Sequence, residues 1–168
     1  MTGLRSMMLS MLVAAMLSAC DRREVTGPPT VRLGLDQCAA CGMIINEDRC
    51  SSALLIEREG RCEHAMFDDL GCMLDYEHEN GGTMRVRDRY AHDHATKAWV
   101  AADSAVYLYS QPHTVATPMG SGIIAFADQA SADMAKAEFG GDIMNFSHLV
   151  PARRAWVEAR SSRSRGAP

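Results

Sequence analysis

The chain has 168 residues, a formal net charge of −4 and a pI near 5.8. That balance gives no global basic field, which argues against nucleic acid as a partner. Aromatic content is low at 6%, while six cysteines and 12 methionines make the chain rich in sulfur.

Residues 1–19 read as an export signal: Arg5 supplies the positive start, and Met7–Leu17 is an apolar run too short to span a membrane. Leu17-Ser18-Ala19-Cys20 resembles the lipobox of bacterial lipoproteins. That resemblance implies cleavage before Cys20, acylation of its thiol and amino terminus, and a lipid-anchored body facing the periplasm. An ordinary signal peptide with a coincidental cysteine is the alternative. Asp21 resembles the inner-membrane retention signal of enteric bacteria, with the outer membrane as the other destination. Residues 20–36 contain Thr26-Gly27-Pro28-Pro29-Thr30 and no apolar period, and are expected to form a tether. The remaining chain, roughly 130 residues, suffices for one ordinary domain or two very small ones sharing a core.

Between tether and tail the sequence repeats once. Phe67-Asp68-Asp69 opens a segment ending in Gly81-Gly82, and Phe126-Ala127-Asp128 opens one ending in Gly140-Gly141, at a constant offset of 59 residues. Each reads as a helix with an aspartate cap and a glycine stop. The expected apolar stripes are Leu70, Met73, Leu74 and Tyr76 in the first, and Ala130, Met134, Ala137 and Phe139 in the second. Strand-like runs flank them at 52–56, 84–86, 105–109, 122–126 and 143–146. The fold class expected is α+β, with two tandem related β-β-α-β modules over residues 37–89 and 90–150. Residues 151–168 read as a basic, low-complexity tail, disordered from Ala159.

The chemistry concentrates in Cys38-Ala39-Ala40-Cys41-Gly42-Met43, which offers two thiols and a thioether to a soft ion. If Cys41-Gly42-Met43-Ile44-Ile45 begins a strand, Cys41 and Met43 share a face. A thiolate with thioethers suits a Cu(I) carrier in an oxidising compartment, because methionine is not lost to disulfides and releases its metal readily. Without Cys20, five cysteines remain: Cys38, Cys41, Cys50, Cys62 and Cys72. An odd number leaves at least one thiol outside any intramolecular disulfide. Cys50 and Cys72 have no partner at useful spacing and are expected to pair with each other or to sit buried.

Two other sulfur readings stay open. Cys38 and Cys41 form a C-x-x-C, as in a periplasmic thiol–disulfide oxidoreductase, although no helical pattern follows the motif. Alternatively, Cys38 and Cys41 with Cys62 and His64 have zinc-ligand spacing within each pair, as in a zinc-stabilised binding module. His92-Asp93-His94 reads as a solvated linker between the modules. No phosphate loop, His-Glu-x-x-His or Gly-x-Ser-x-Gly is present, so an enzyme is not expected.

Cys41-Gly42-Met43, Val86-Arg87-Asp88, Trp99 with Ala102 and Ala105, Pro118-Met119-Gly120, Ala125-Phe126 and Gly140-Gly141 together resemble the NosL family, from Cys38 to Phe146. The resemblance implies a periplasm-facing lipoprotein that carries copper to nitrous oxide reductase and its membrane-associated assembly machinery. It implies a fold of two related β-β-α-β modules, similar to part of organomercurial lyase, although fold alone transfers no activity. It maps the family's Cys-x-Met onto Cys41 and Met43, and its distal methionine onto Met119. Pro118 and Gly120 place Met119 in a turn rather than on an apolar face. Many family members manage without an equivalent of Cys38, so the resemblance leaves open whether Cys38 is a further ligand or closes a disulfide with Cys41.

Overall fold

The computed structural model describes residues 25–110 and 114–165. The signal peptide, the lipidation position Cys20 and the start of the tether lie outside them. Strand β1 (Ser52–Arg58) and β2 (Arg61–Phe67) precede helix α1 (Leu70–Asn80) and strand β3 (Arg85–His92). After the short strand β4 (Trp99–Ala101), β5 (Val106–Tyr109), β6 (Ile123–Phe126), α2 (Gln129–Phe139) and β7 (Asp142–Asn145) repeat the pattern. Helix α3 (Phe146–Arg165) follows.

The duplication is real in three dimensions. Both sheets are antiparallel and place the module's first strand centrally, in the orders β2-β1-β3-β4 and β6-β5-β7. Each helix starts beneath an aspartate cap: Asp69 accepts from the Gly71 N–H, and Asp128 from the Ser131 N–H. In α1 the buried residues include Leu70, Met73 and Leu74, as the pattern predicts. In α2 the expected stripe is out of phase: Ala132 and Ala135 are buried, whereas Met134 is 69% exposed. Small residues at those positions let the backbone of α2 lie close to β5 and β6.

One core joins the modules. Leu54, Ile56, Phe67, Leu70 and Met73 of the first pack in the same cluster as Tyr107, Ile123 and Ala125 of the second, with Leu149 from α3. Leu108, Ile124 and Phe126 point to the opposite face of the second sheet and pack with Ala132 and Ala135 under α2. Burying such side chains contributes about 1.5–3 kcal/mol each, well above the ~0–1 kcal/mol of an exposed ion pair. Apolar burial therefore fixes how the modules sit together.

Several boundaries differ from expectation. Strand β2 lies where no strand pattern is evident: Arg-Cys-Glu-His-Ala-Met-Phe has no β-branched residue. Its hairpin turns through Glu59 and Gly60, both at positive φ, rather than through Asn-Gly. The division between residues 89 and 90 falls inside β3, and β4 completes the first sheet through the pairs Tyr90–Ala101 and His92–Trp99. The tail is helical through Arg165, because Phe146, Leu149, Val150 and Arg153 at helical spacing face the body. The bidentate Arg153–Asp75 pair, at 3.0 and 2.8 Å, ties α3 to α1.

The described part of the tether is not a free spacer. The His64 Nε2–H donates to the Gly27 carbonyl at 2.7 Å, and buried Asp36 accepts from the Arg32 backbone and guanidinium. His92-Asp93-His94 is not solvated either. His92 bonds to the Ser51 hydroxyl at 2.7 Å and stacks on Trp99. Asp93, 1% exposed, accepts from the backbone of Ala95, Thr96 and Ala127, locking the linker onto the second module.

Candidate metal centre

Cys41-Gly42-Met43 belongs to a hairpin loop rather than to a strand. The Cys38 N–H donates to the Met43 carbonyl at 2.8 Å, the Ile45 N–H to Asp36 at 2.9 Å, and Gln37 bridges Ile44. Inside the loop the Gly42 N–H returns to the Cys38 carbonyl at 2.9 Å, with Gly42 at φ +75°. The glycine is there for that left-handed backbone, not to clear a strand face. The Ala39 N–H donates to the Met66 carbonyl at 2.8 Å and docks the loop on β2. The loop thus turns Cys38 inward, 2% exposed, and leaves Cys41 exposed and Met43 at 55%.

The inward side meets the start of α1. Cys38, Cys41, Asp68 and Cys72 each present a ligand atom within 4.8 Å of all the others. Asp68 is the last residue before the Asp69 cap, and Cys72 lies in the first helical turn. The Cys41 thiol lies 3.7 and 3.8 Å from the two Asp68 oxygens. All five described cysteines are free thiols, so neither a Cys38–Cys41 nor a Cys50–Cys72 disulfide forms. Cys50 is buried in the second core cluster, whereas Cys72 packs against the first.

The electrostatics follow from this crowding. The Cys72 thiol, hydrogen bonded to Cys38, holds Cys38 well below the ordinary thiol range, helped by the Cys41 and Asp68 backbone N–H groups. The same bond, and then burial, pushes Cys72 upward. Burial raises Cys41, and the neighbouring Cys38 and Asp68 charges add to it. Asp68 is pushed up to about 6, first by burial and then by its hydrogen bond to Cys38. The hydrogen-bonded Cys38–Cys72 pair sits beside the N–H-rich end of α1, which favours negative charge there. A soft cation binding here would displace the protons of its neighbours.

Met119 approaches from the other module. Thr117-Pro118-Met119-Gly120 is a turn closed by the Gly120 N–H to the Thr117 carbonyl at 2.9 Å, and Met119 is 43% exposed. Asp69 holds this turn. Its Oδ2 accepts from Thr117 Oγ1 at 2.8 Å, Met119 N at 2.9 Å and Ser121 N at 3.4 Å, while Oδ1 caps Gly71 N at 2.7 Å. The residue that starts α1 beside the thiols therefore also fixes the backbone carrying Met119.

Cys62 and His64 do not join this cluster. They lie on β2, His64 is committed to Gly27, and among the described residues neither belongs to a group of three potential ligands. A single zinc site built from Cys38, Cys41, Cys62 and His64 is thus not assembled. Asp68 and Cys72 are the members that sequence reasoning missed. The signal available for Cys72 was its place in the first turn after a predictable aspartate cap.

Among the described residues no helix is long and apolar enough to cross a membrane. No curated protein matches the chain by sequence. The fold is similar to the crystal structure of the copper chaperone NosL from Shewanella denitrificans, with a TM-score of 0.63 at 17% identity, covering 73% of this chain and 95% of that one. The NosL family model matches residues 33–153, and the chain belongs to the NosL family.

Proposed function

We propose that this protein is a periplasm-facing lipoprotein, anchored through Cys20, that carries Cu(I) for assembly of the copper centres of nitrous oxide reductase. Cys41, Met43 and Met119 hold the cargo, and the ion leaves by ligand exchange with the client or its membrane-associated assembly machinery. Family membership supports the reading, as does the solved copper chaperone of the same fold. What supports the ligand set is that Cys41, Met43 and Met119 are all exposed, come from both modules, and that the Met119 backbone is held by Asp69, the cap of the helix that carries Cys72. Buried methionines such as Met73 fill space; exposed ones beside a thiol are suited to a soft ion. Weak neutral thioethers at an accessible rim favour release over storage.

The C-x-x-C gives little support to a thiol oxidoreductase. Such enzymes attack with an accessible, acidified thiol. Here the accessible thiol, Cys41, is raised and the acidified one, Cys38, is buried.

The test is an anaerobic Cu(I) titration of the purified protein against a competing chelator, alongside Cys41→Ser, Met43→Leu and Met119→Leu. The reading expects loss of the rim-bound ion in Cys41→Ser and weaker binding in each methionine variant. Undiminished binding in all three would overturn it. For the client, deletion of the gene is expected to yield nitrous oxide reductase depleted in copper; a fully loaded enzyme would remove that part of the proposal.

A further inference from the structure

Beneath the proposed rim lies a donor set that a copper ion held by Cys41, Met43 and Met119 does not use. Cys38 and Cys72, with Asp68, converge from the hairpin loop, the β2–α1 junction and the first turn of α1. Thiolate–metal bonds run to about 2.3 Å for an ion such as zinc, so two sulfurs on one ion lie at most ~4.6 Å apart. Three or four donors around one ion sit roughly 3.8–4.0 Å apart, and these already lie within 4.8 Å of one another, so closure brings any pair together by about 1 Å at most.

Ordinary packing accounts poorly for this arrangement. The leading influences on these thiols are other thiols, Asp68, Asp69 and backbone N–H donors, and the nearby Arg153 guanidinium, beside Gly71, is paired with Asp75. Asp68 is 3% exposed, and Asp69, at 0%, is fully engaged with Gly71 and the Met119 turn. Three thiols and a carboxylate gathered within 4.8 Å of one another form a ready donor set for a cation, and three sulfurs select a thiophilic one.

We infer that Cys38, Cys41 and Cys72, with the Asp68 carboxylate beside them, form a second, inner cuprous site that shares the Cys41 sulfur with the thioether-bound ion. The identity of the ion rests on the copper-carrier reading. Binding forms Cu–S bonds and releases the remaining thiol protons to solvent, and copper stays in the +1 state throughout. Cys41, at the mouth, bridges the two ions through separate sulfur lone pairs. The inner site retains copper and the rim presents it.

The experiment compares tight Cu(I) equivalents in three proteins under anaerobic competition: wild type, Met43→Leu/Met119→Leu, and Cys38→Ser/Cys72→Ser. Two equivalents are expected in wild type and one in each double variant. One equivalent in wild type with none in the methionine variant overturns the inner site and leaves the rim reading standing. None in the cysteine variant, with one kept in the methionine variant, overturns the rim and leaves the inner site. Because the Cys38 and Cys72 changes can disturb folding, alkylation is followed in the methionine variant with its cysteines intact. Adding Cu(I) should abolish labelling of Cys72 and leave that of Cys62 unchanged; unaltered labelling of Cys72 overturns the proposal.

Discussion

Asp69→Asn is the substitution that most sharply probes how the two modules are joined at the site. The carboxylate is fully buried and accepts four contacts, three of them at 2.7, 2.8 and 2.9 Å from Gly71 N, Thr117 Oγ1 and Met119 N. An asparagine keeps one oxygen, so it satisfies either the helix cap or the Met119 turn, and its NH2 then confronts the donors left over. Hydrogen bonds to a carboxylate are worth about 1.5–3 kcal/mol each, and a buried donor without a partner costs about 1–3 kcal/mol. Partial relaxation leaves a net loss of about 3–4 kcal/mol. With a urea m-value of about 1.5 kcal/mol/M, the unfolding midpoint should fall by roughly 2 M. The same variant should weaken copper held through Met119 while Cys38, Cys41 and Cys72 still bind. A midpoint within ~0.3 M of wild type, or an unchanged methionine contribution, would refute the idea that Asp69 couples stability to the site.

Three further outcomes follow from the same junction. A Cβ at Gly71 would lie 2.6 Å from Ser121 Cβ and 3.1 Å from the Arg153 guanidinium carbon, so Gly71→Ala must push the Met119 turn off α1. Overpacking of this kind costs about 1–3 kcal/mol despite alanine's better helix propensity, and denaturant unfolding with a copper titration reads both effects. Asp68 titrates at about 6 rather than the usual 3.8, so the folded state holds its proton more tightly than the unfolded chain. The apo-protein's stability from this group is therefore full below 3.8 and lost as pH rises through about 6; Asp68→Asn should flatten that slope in pH-resolved unfolding curves. Arg153→Ala removes the guanidinium paired with Asp75, at 3.0 and 2.8 Å, and should cost about 2–4 kcal/mol with frayed α3 by circular dichroism.

Much of the fold is written in the sequence because the duplicated segments carry local signals. The Asp69 and Asp128 caps and the glycines after each helix mark α1 and α2 without reference to the rest of the chain. What escapes is decided by tertiary packing. Strand β2 is recruited by pairing with β1 across a Glu-Gly turn, and its composition has weak strand preference. Helix α3 contains Pro151 and ends in a Ser/Arg run, and is held by the faces of α1 and β5 that receive Leu149 and Arg153. At the site, the Cys-x-x-C and the Met119 turn are visible as local motifs. Cys72 is marked only by its place in the first turn after the aspartate cap, and its partnership with Cys38 depends on the hairpin loop docking on Met66 beside that turn. His92-Asp93-His94 shows the converse: three polar residues suggest solvent, yet hydroxyl and backbone partners bury His92 and Asp93, and His94 is half-buried with its ring against Phe126.

The central claim is that methionines from both modules hold the copper with Cys41. X-ray absorption at the copper edge tests it directly on Cu(I)-loaded protein grown with selenomethionine. The account predicts copper–selenium scattering in the wild type and its disappearance in Met43→Leu/Met119→Leu, with copper–sulfur scattering retained. A wild-type spectrum with sulfur and no selenium around copper would contradict it and place the cargo on the cysteines alone.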